Sequence, residues 1–180
     1  MMLHLEWVLR EQVNENPSLR EAVMELTIRP MSESDDIEQI ADWFESIETE
    51  WLLDYDPASR RRKDSRQQLL RWMRGEGGDS CVLVGESPES GKVVGFATCL
   101  LQVDANTDRK FGTIHGIYVD EDQREKGYGH VLKDAADEWC RRHGASYMKA
   151  YIGIGNQAML RVCKLLGYEP WMVTWVRRFE

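Results

Sequence analysis

Apolar residues fall along this chain in two rhythms, and each rhythm marks an element. Leu5, Leu9 and Val13 recur at spacing four and predict a helix near the start. Asn16-Pro17 interrupts it and starts a second short helix that ends near Glu25. Leu26 to Pro30 alternates and predicts the first strand. Ser34 or Ser32 is placed to cap a helix that carries Ile37, Ile40, Ala41 and Phe44 on one side. Ser59 is placed to cap another, with Leu69, Leu70 and Met73 inward and Gly75 and Gly77-Gly78 as its stop. Cys81 to Val84 reads as a short buried strand, Pro88 to Gly91 as a turn, and Val93 to Val103 as a long strand. A polar loop from Asp104 to Lys110 leads into a strand from Phe111 to Val119. Residues 127–143 predict a helix that buries Val131, Leu132, Ala135, Trp139 and Cys140 and stops at Gly144. Ser146 to Ile152 follows as a strand, Asn156 to Leu166 as a helix, and Tyr168 to Phe179 as a last strand rich in Trp and Val. The succession describes one mixed α/β domain over residues 26–180, preceded by a helical extension over residues 1–25.

Composition narrows what that domain does. The chain has 180 residues, 42% hydrophobic and 30% charged, which suits one soluble domain with a sizeable core. No apolar run approaches the ~18 residues of a membrane span, and the first residues show neither a basic region nor a long apolar stretch, so no secretion signal and no membrane association are expected. Cys81, Cys99, Cys140 and Cys163 lack any CxxC spacing and sit among apolar neighbours. They read as reduced core residues of a cytoplasmic protein, with no zinc site. A net charge of −8 argues against broad nucleic-acid binding and favours a neutral or cationic partner.

The chemistry concentrates after the Phe111–Val119 strand. There Arg124-Glu125-Lys126-Gly127-Tyr128-Gly129 opens the long amphipathic helix. A helix start leaves N–H groups without partners and carries the positive end of the dipole; glycines let a phosphate approach them closely. The order strand, glycine turn, helix therefore asks for a phosphorylated ligand, with Arg124, Lys126 and Lys133 as local basic groups. A dinucleotide fingerprint would need a third glycine where Leu132 stands, and a P-loop would need the missing GK[ST]. A plain structural turn before a helix is the bland alternative.

The spacing Arg124-x-x-Gly127-x-Gly129 resembles the R/Q-x-x-G-x-G/A acyl-CoA signature of the GNAT (GCN5-related) N-acetyltransferase family. A second block agrees: Asn156 begins a helix ending Leu165-Leu166-Gly167-Tyr168, similar to the family's Asn, helix, Gly-Phe or Gly-Tyr. The element order from Leu26 to Phe179 also resembles the family; the first 25 residues lie outside it. The resemblance implies a GNAT-like α/β fold, with a central mixed, mostly antiparallel sheet flanked by helices. It implies acetyl-CoA as cosubstrate without a metal, and transfer of an acetyl group to a primary amine by direct attack in a ternary complex. The pyrophosphate would rest on the backbone of Arg124, Glu125, Lys126, Gly127, Tyr128, Gly129 and His130. The pantetheine arm would pair with the strand at Ile117, Tyr118 and Val119 and touch Asn156, which is equally placed as a helix N-cap. A backbone N–H near Ile117 would hold the thioester oxygen, a donor of a kind typically worth ~3 kcal/mol.

An amine with a pKa of ~10.4 must lose a proton before it attacks. His115, twelve residues before Gly127, is the candidate base, expected by period two on the same face as Ile117 and Val119; otherwise it is an ordinary half-buried strand histidine. The family's usual acid, a Tyr seven residues after the Asn, is replaced here by Cys163. Cys163 is then either the acid or plain packing, and Tyr168 is a spare phenol. For the acceptor, the run from Trp43 through Glu50, Trp51 and Asp54 mixes acids and aromatics that suit a cationic small-molecule or protein amine; alternatively it is a solvated acidic face. The rival function is a non-catalytic acyl-CoA-binding or interaction protein. The resemblance allows a homodimer without requiring one.

Overall fold

The computed structural model describes residues 26–52, 65–76 and 79–171, with the side chains of 48–52 excepted. The helices expected within 1–25, the cap at Ser59, the side chains of Glu50 and Trp51, Asp54, and the last strand beyond Trp171 lie outside the described residues.

The two rhythms of the sequence become six strands and four α-helices among the described residues: β1 Thr27–Pro30, α1 Ile37–Leu52, α2 Ser65–Met73, β2 Ser80–Glu86, β3 Val93–Val103, β4 Lys110–Thr113, β5 Ile117–Val119, α3 Tyr128–Arg142, β6 Met148–Lys149 and α4 Gln157–Leu165. The strands form one sheet in the order β1-β2-β3-β4-β6, with β5 also paired to β3. Among the described residues, every pairing is antiparallel except β4 with β6. Strand pairing uses alternate residues on each face, and β2 and β3 are buried on both faces. One face packs Leu83, Ala97 and Cys99 against Leu132, Ala136 and Cys140 of α3. The other packs Val82, Val84 and Phe96 against Ile40, Ala41 and Phe44 of α1 and Leu69 and Trp72 of α2.

The helix starts are local chemistry. Asp36, rather than Ser34 or Ser32, caps α1 by accepting from Gln39 N–H at 3.0 Å. Asp35 is engaged instead by Arg29, which donates to both its carboxylate oxygens at 2.8 and 2.6 Å, and by the Ser32 N–H at 2.7 Å. α3 crosses β3 at close range over Gly95, where a Cβ would stand 2.6 Å from the Tyr118 carbonyl and 3.0 Å from Leu132.

The expected strand from Phe111 to Val119 is broken. Leu100 pairs with Thr113, and Ala97 pairs with Ile117. Two residues of β3 therefore face three, Ile114, His115 and Gly116, which makes a β-bulge. Thr98 holds it: its hydroxyl Oγ1 accepts from His115 N–H at 3.0 Å and Gly116 N–H at 2.9 Å. The parallel rungs between β4 and β6 end at Thr113 and Lys149, just before the bulge. The strand expected over Ser146–Ile152 shrinks to those two paired residues because the partners diverge there.

Candidate acyl-CoA site

The bulge determines which backbone groups are free. Thr98 N–H donates to Gly116 O and Asp120 N–H to Val94 O, both at 2.9 Å. In an antiparallel strand the polar groups of successive residues point to opposite edges. Gly116, Tyr118 and Asp120 thus face β3, while Ile117 and Val119 turn their N–H and C=O groups to the far edge. No strand among the described residues pairs with that edge.

The open edge runs straight into the glycine turn. A 3₁₀ turn at Glu121–Gln123 is followed by Glu125 at φ 67° and Gly127 at φ 81°. A non-glycine residue in the left-handed region costs about 1–2 kcal/mol, so Glu125 stores strain at this position. The amides of Glu125, Lys126, Gly127 and Gly129 find no partner among the described residues, and Gly127 caps α3 without a side-chain bond. Alternating backbone of this kind, ahead of a helix start, forms a concave nest for an anion. Gly129 has room, since a Cβ there would meet only the Val119 Cγ2 at 3.8 Å. Tyr128 is buried in the α3 core. His130 is 4% exposed, its Nδ1 has no partner among the described residues, and burial lowers its pKa below the usual imidazole value. The donors and the space at this turn fit a pyrophosphate.

The basic groups sort differently from the sequence expectation. Arg124 is anchored beside the turn: Nε donates to Val119 O at 3.1 Å, and the guanidinium lies over the Tyr118 ring at 5.3 Å. Lys126 is exposed and donates to Gln123. Lys133 supplies nothing to the turn. It is 2% exposed and bonds Asp137 at 2.6 Å and the Tyr168 hydroxyl. Buried between these partners, it serves an internal network.

His115 does not share the face of Ile117 and Val119. Those two pack toward α3, whereas the His115 ring lies 5.6 Å from the Trp72 ring of α2 at 60°. The extra residue of the bulge inverts the alternation, so period-two counting across it gives the wrong side. The imidazole is exposed on the α1–α2 side. Trp43 of α1 stacks on Tyr118 at 5.2 Å, so this face reaches the same three-residue strand from the other side.

Asn156 caps α4, its Oδ1 accepting from Met159 N–H at 3.0 Å. Cys163 is buried on the same helix, and burial pushes its thiol pKa up. The Tyr168 hydroxyl donates to Asp137 at 2.8 Å; burial, with the Asp137 charge next in size, drives its pKa well above the ordinary phenol value. Its proton is committed to a carboxylate. The four cysteines are free, three buried and Cys81 half-buried. Among the described residues, no group of three or more His, Cys, Asp or Glu side chains could hold a metal ion, and no helix is long and apolar enough to cross a membrane.

The sequence profile of the acetyltransferase (GNAT) family matches residues 37–168. This chain belongs to that family. Beyond the profile, a Methanocaldococcus jannaschii protein named as an uncharacterized N-acetyltransferase is 33% identical over 91 residues, 49% of this chain and 40% of its own length. A Pseudomonas aeruginosa L-methionine sulfoximine/L-methionine sulfone acetyltransferase is 38% identical over 85 residues, 46% of this chain and 48% of its own. The chain thus spans less than half the length of these curated relatives. In fold it resembles glucosamine-6-phosphate N-acetyltransferase from Arabidopsis thaliana at a TM-score of 0.61 and 17% identity, covering 86% of this chain and 99% of that one. The GNAT fold, with its mixed and mostly antiparallel sheet, agrees with the element order read from sequence.

Thr98 and the Lys133–Asp137 pair were missed in the sequence. Gly116 was the available signal for the first, because a glycine inside a strand pattern marks a bulge. The i,i+4 spacing of Lys133 and Asp137 reads equally well as a solvated helix face.

Proposed function

We propose that this chain transfers an acetyl group from acetyl-CoA to a primary amine, within a ternary complex. One observation carries the reading: the unpaired edge of Ile117–Val119 leads directly into a turn with unpartnered amides and two left-handed residues. An extended thiol arm pairs with such an edge as an added strand, while its phosphates take the nest. Glu125, Lys126, Gly127 and Gly129 would hold the pyrophosphate through backbone, and Asn156 would border the arm. Acetyl-CoA, when bound, supplies the thioester. The outward N–H of Ile117 stabilises charge on the thioester oxygen, and His115, exposed beside the bulge, takes the proton of the incoming ammonium. Cys163 packs α4 as a neutral thiol, and solvent protonates the leaving thiolate.

The acceptor approaches from the α1–α2 face, where Trp43, Trp72 and His115 lie. A small molecule with an α-amino group is the first class to try, since the Pseudomonas relative, matched over about half of each chain, is named for two such amino acids. The replacement of the usual tyrosine by Cys163 favours one other reading, an acyl-CoA binder without turnover.

Thermal unfolding with acetyl-CoA, against NAD as control, tests the cofactor. At about 100 times Kd a ligand adds ~2.7 kcal/mol, which raises Tm by roughly 5–10 °C for a chain of this size. Thiol release with L-methionine sulfone and a panel of small amines then tests turnover. A shift without turnover over the panel selects the binder. No shift with acetyl-CoA returns the turn to an ordinary helix start.

A further inference from the structure

A buried polar network joins the two helices that border the cofactor cleft. α4 ends in a Schellman turn: Tyr168 N–H donates to Cys163 O at 2.9 Å and Gly167 N–H to Lys164 O at 3.2 Å, with Gly167 at φ 76°. That turn fixes the direction in which Tyr168 leaves α4. Its hydroxyl then donates to Asp137 in the middle of α3 at 2.8 Å and accepts from Lys133 one turn earlier. Lys133 Nζ closes the triangle on Asp137 at 2.6 Å and lies 3.9 Å from the centre of the Tyr168 ring. Through Tyr168, these hydrogen bonds tie the turn that ends α4 to α3.

We propose that Lys133, Asp137 and Tyr168 are positioning residues that set the separation of α3 and α4, and with it the span of the acyl-CoA cleft. This rests on the cofactor assignment above. The nest at Glu125–Gly129 belongs to the start of α3, and Asn156 to the start of α4. A ligand that touches both helix starts needs the correct distance between them, whereas a ligand that touches only the nest does not. A lysine buried to 2% exposure is costly unless paired. The network therefore has a reason to be complete.

The test compares two ligands on Tyr168→Phe and on Asp137→Asn, by calorimetric titration. Acetyl-CoA spans both helices; 3′-phospho-ADP, its nucleotide half, engages the nest alone. Loss of the Tyr168 hydroxyl is expected to weaken acetyl-CoA about tenfold, ~1.4 kcal/mol, and to leave 3′-phospho-ADP within about twofold. KM for acetyl-CoA rises with it, and kcat at saturation changes little. Equal weakening of both ligands, or no change in either, overturns the proposal. So does a fall in kcat with intact acetyl-CoA affinity, which would make Tyr168 a proton donor. If the native chain binds neither ligand, the cofactor assignment itself fails, an outcome distinct from a native chain that binds both and variants that do not alter their ratio.

Discussion

Replacing Thr98 by valine tests whether one hydroxyl holds the bulge. Thr98 is fully buried at the centre of β3, and its Oγ1 is the acceptor for two backbone donors, His115 N–H at 3.0 Å and Gly116 N–H at 2.9 Å. Valine keeps the shape, so no cavity opens, but both donors lose their acceptor. An unsatisfied buried donor costs about 1–3 kcal/mol. Gly116 is buried and bears the full amount; His115 is exposed and its amide recovers part of its loss from water. The buried methyl offsets a fraction more. The balance is a destabilisation of about 2–4 kcal/mol out of a total of ~5–15 kcal/mol, or roughly 5–15 °C in Tm. Thr98→Ser, which keeps the oxygen and deletes a methyl, is expected to cost only about 1 kcal/mol. Thermal and urea unfolding measure both, and amide exchange at Gly116 locates the effect. A Thr98→Val protein as stable as Thr98→Ser, with Gly116 still protected, would refute this account of the bulge. Acetyl transfer is expected to fall further than stability predicts at a temperature where both proteins are folded, because the outward N–H of Ile117 lies one residue beyond the released amide.

Gly127→Val forces a β-branched residue to φ 81°; calorimetry should find acetyl-CoA binding lost while circular dichroism finds the fold retained, whereas Gly129→Ala, with 3.8 Å of clearance, should bind normally. Asp134 on α3 is pushed up to about 6 from 3.8 by burial, with Asp137 and Glu138 adding to it. A carboxyl raised in the folded state contributes stability below its unfolded value that is lost as pH rises toward 6, so Asp134→Asn should stabilise by about 1–2 kcal/mol at pH 7.5 and by nothing below about pH 4, as read from Tm against pH. His115→Ala should lower kcat/KM and remove one ionisation from the pH profile of amine acetylation, and an unchanged profile would reject it as the base.

What the sequence discloses follows the range of the interaction that decides it. The glycine turn, the start of α3 and the Asn156 cap are set within a few residues, and local pattern predicts them where they lie. The burial of Phe44, Leu69, Val82 and Leu132 follows from periodicity. Four features escape because a partner outside the local pattern decides each. The bulge is made by Thr98, some seventeen residues from His115 in sequence, while Phe111 to Val119 read alone is an unbroken β pattern. Lys133 is buried by contacts that include Tyr168, thirty-five residues away. Asp36 wins the α1 cap because Arg29 of β1 has taken Asp35, an ion pair that holds the Asp35 carboxyl down to about 2. Trp72, expected at no particular position, becomes core through contact with Phe44 and a neighbour of His115.

The irregular positions between β4 and α3 follow one another, and their order along the chain has a physical logic. β4 and β6 run together for two rungs and part after Thr113 and Lys149. The next three residues form the bulge, which keeps β5 on β3 while β6 diverges. Parting alone would leave an open edge of β4, and the bulge alone would only twist the sheet. Together they leave Ile117–Val119 paired with β3 on one side and without a strand partner among the described residues on the other, where Arg124 Nε alone bonds the Val119 carbonyl, with the strained turn following within six residues. The same extra residue moves His115 to the α1–α2 face. A site that joins two substrates across a strand needs one of them on each side of the reacting bond. Here a single inserted residue separates the edge proposed for the thioester from the face proposed for the amine.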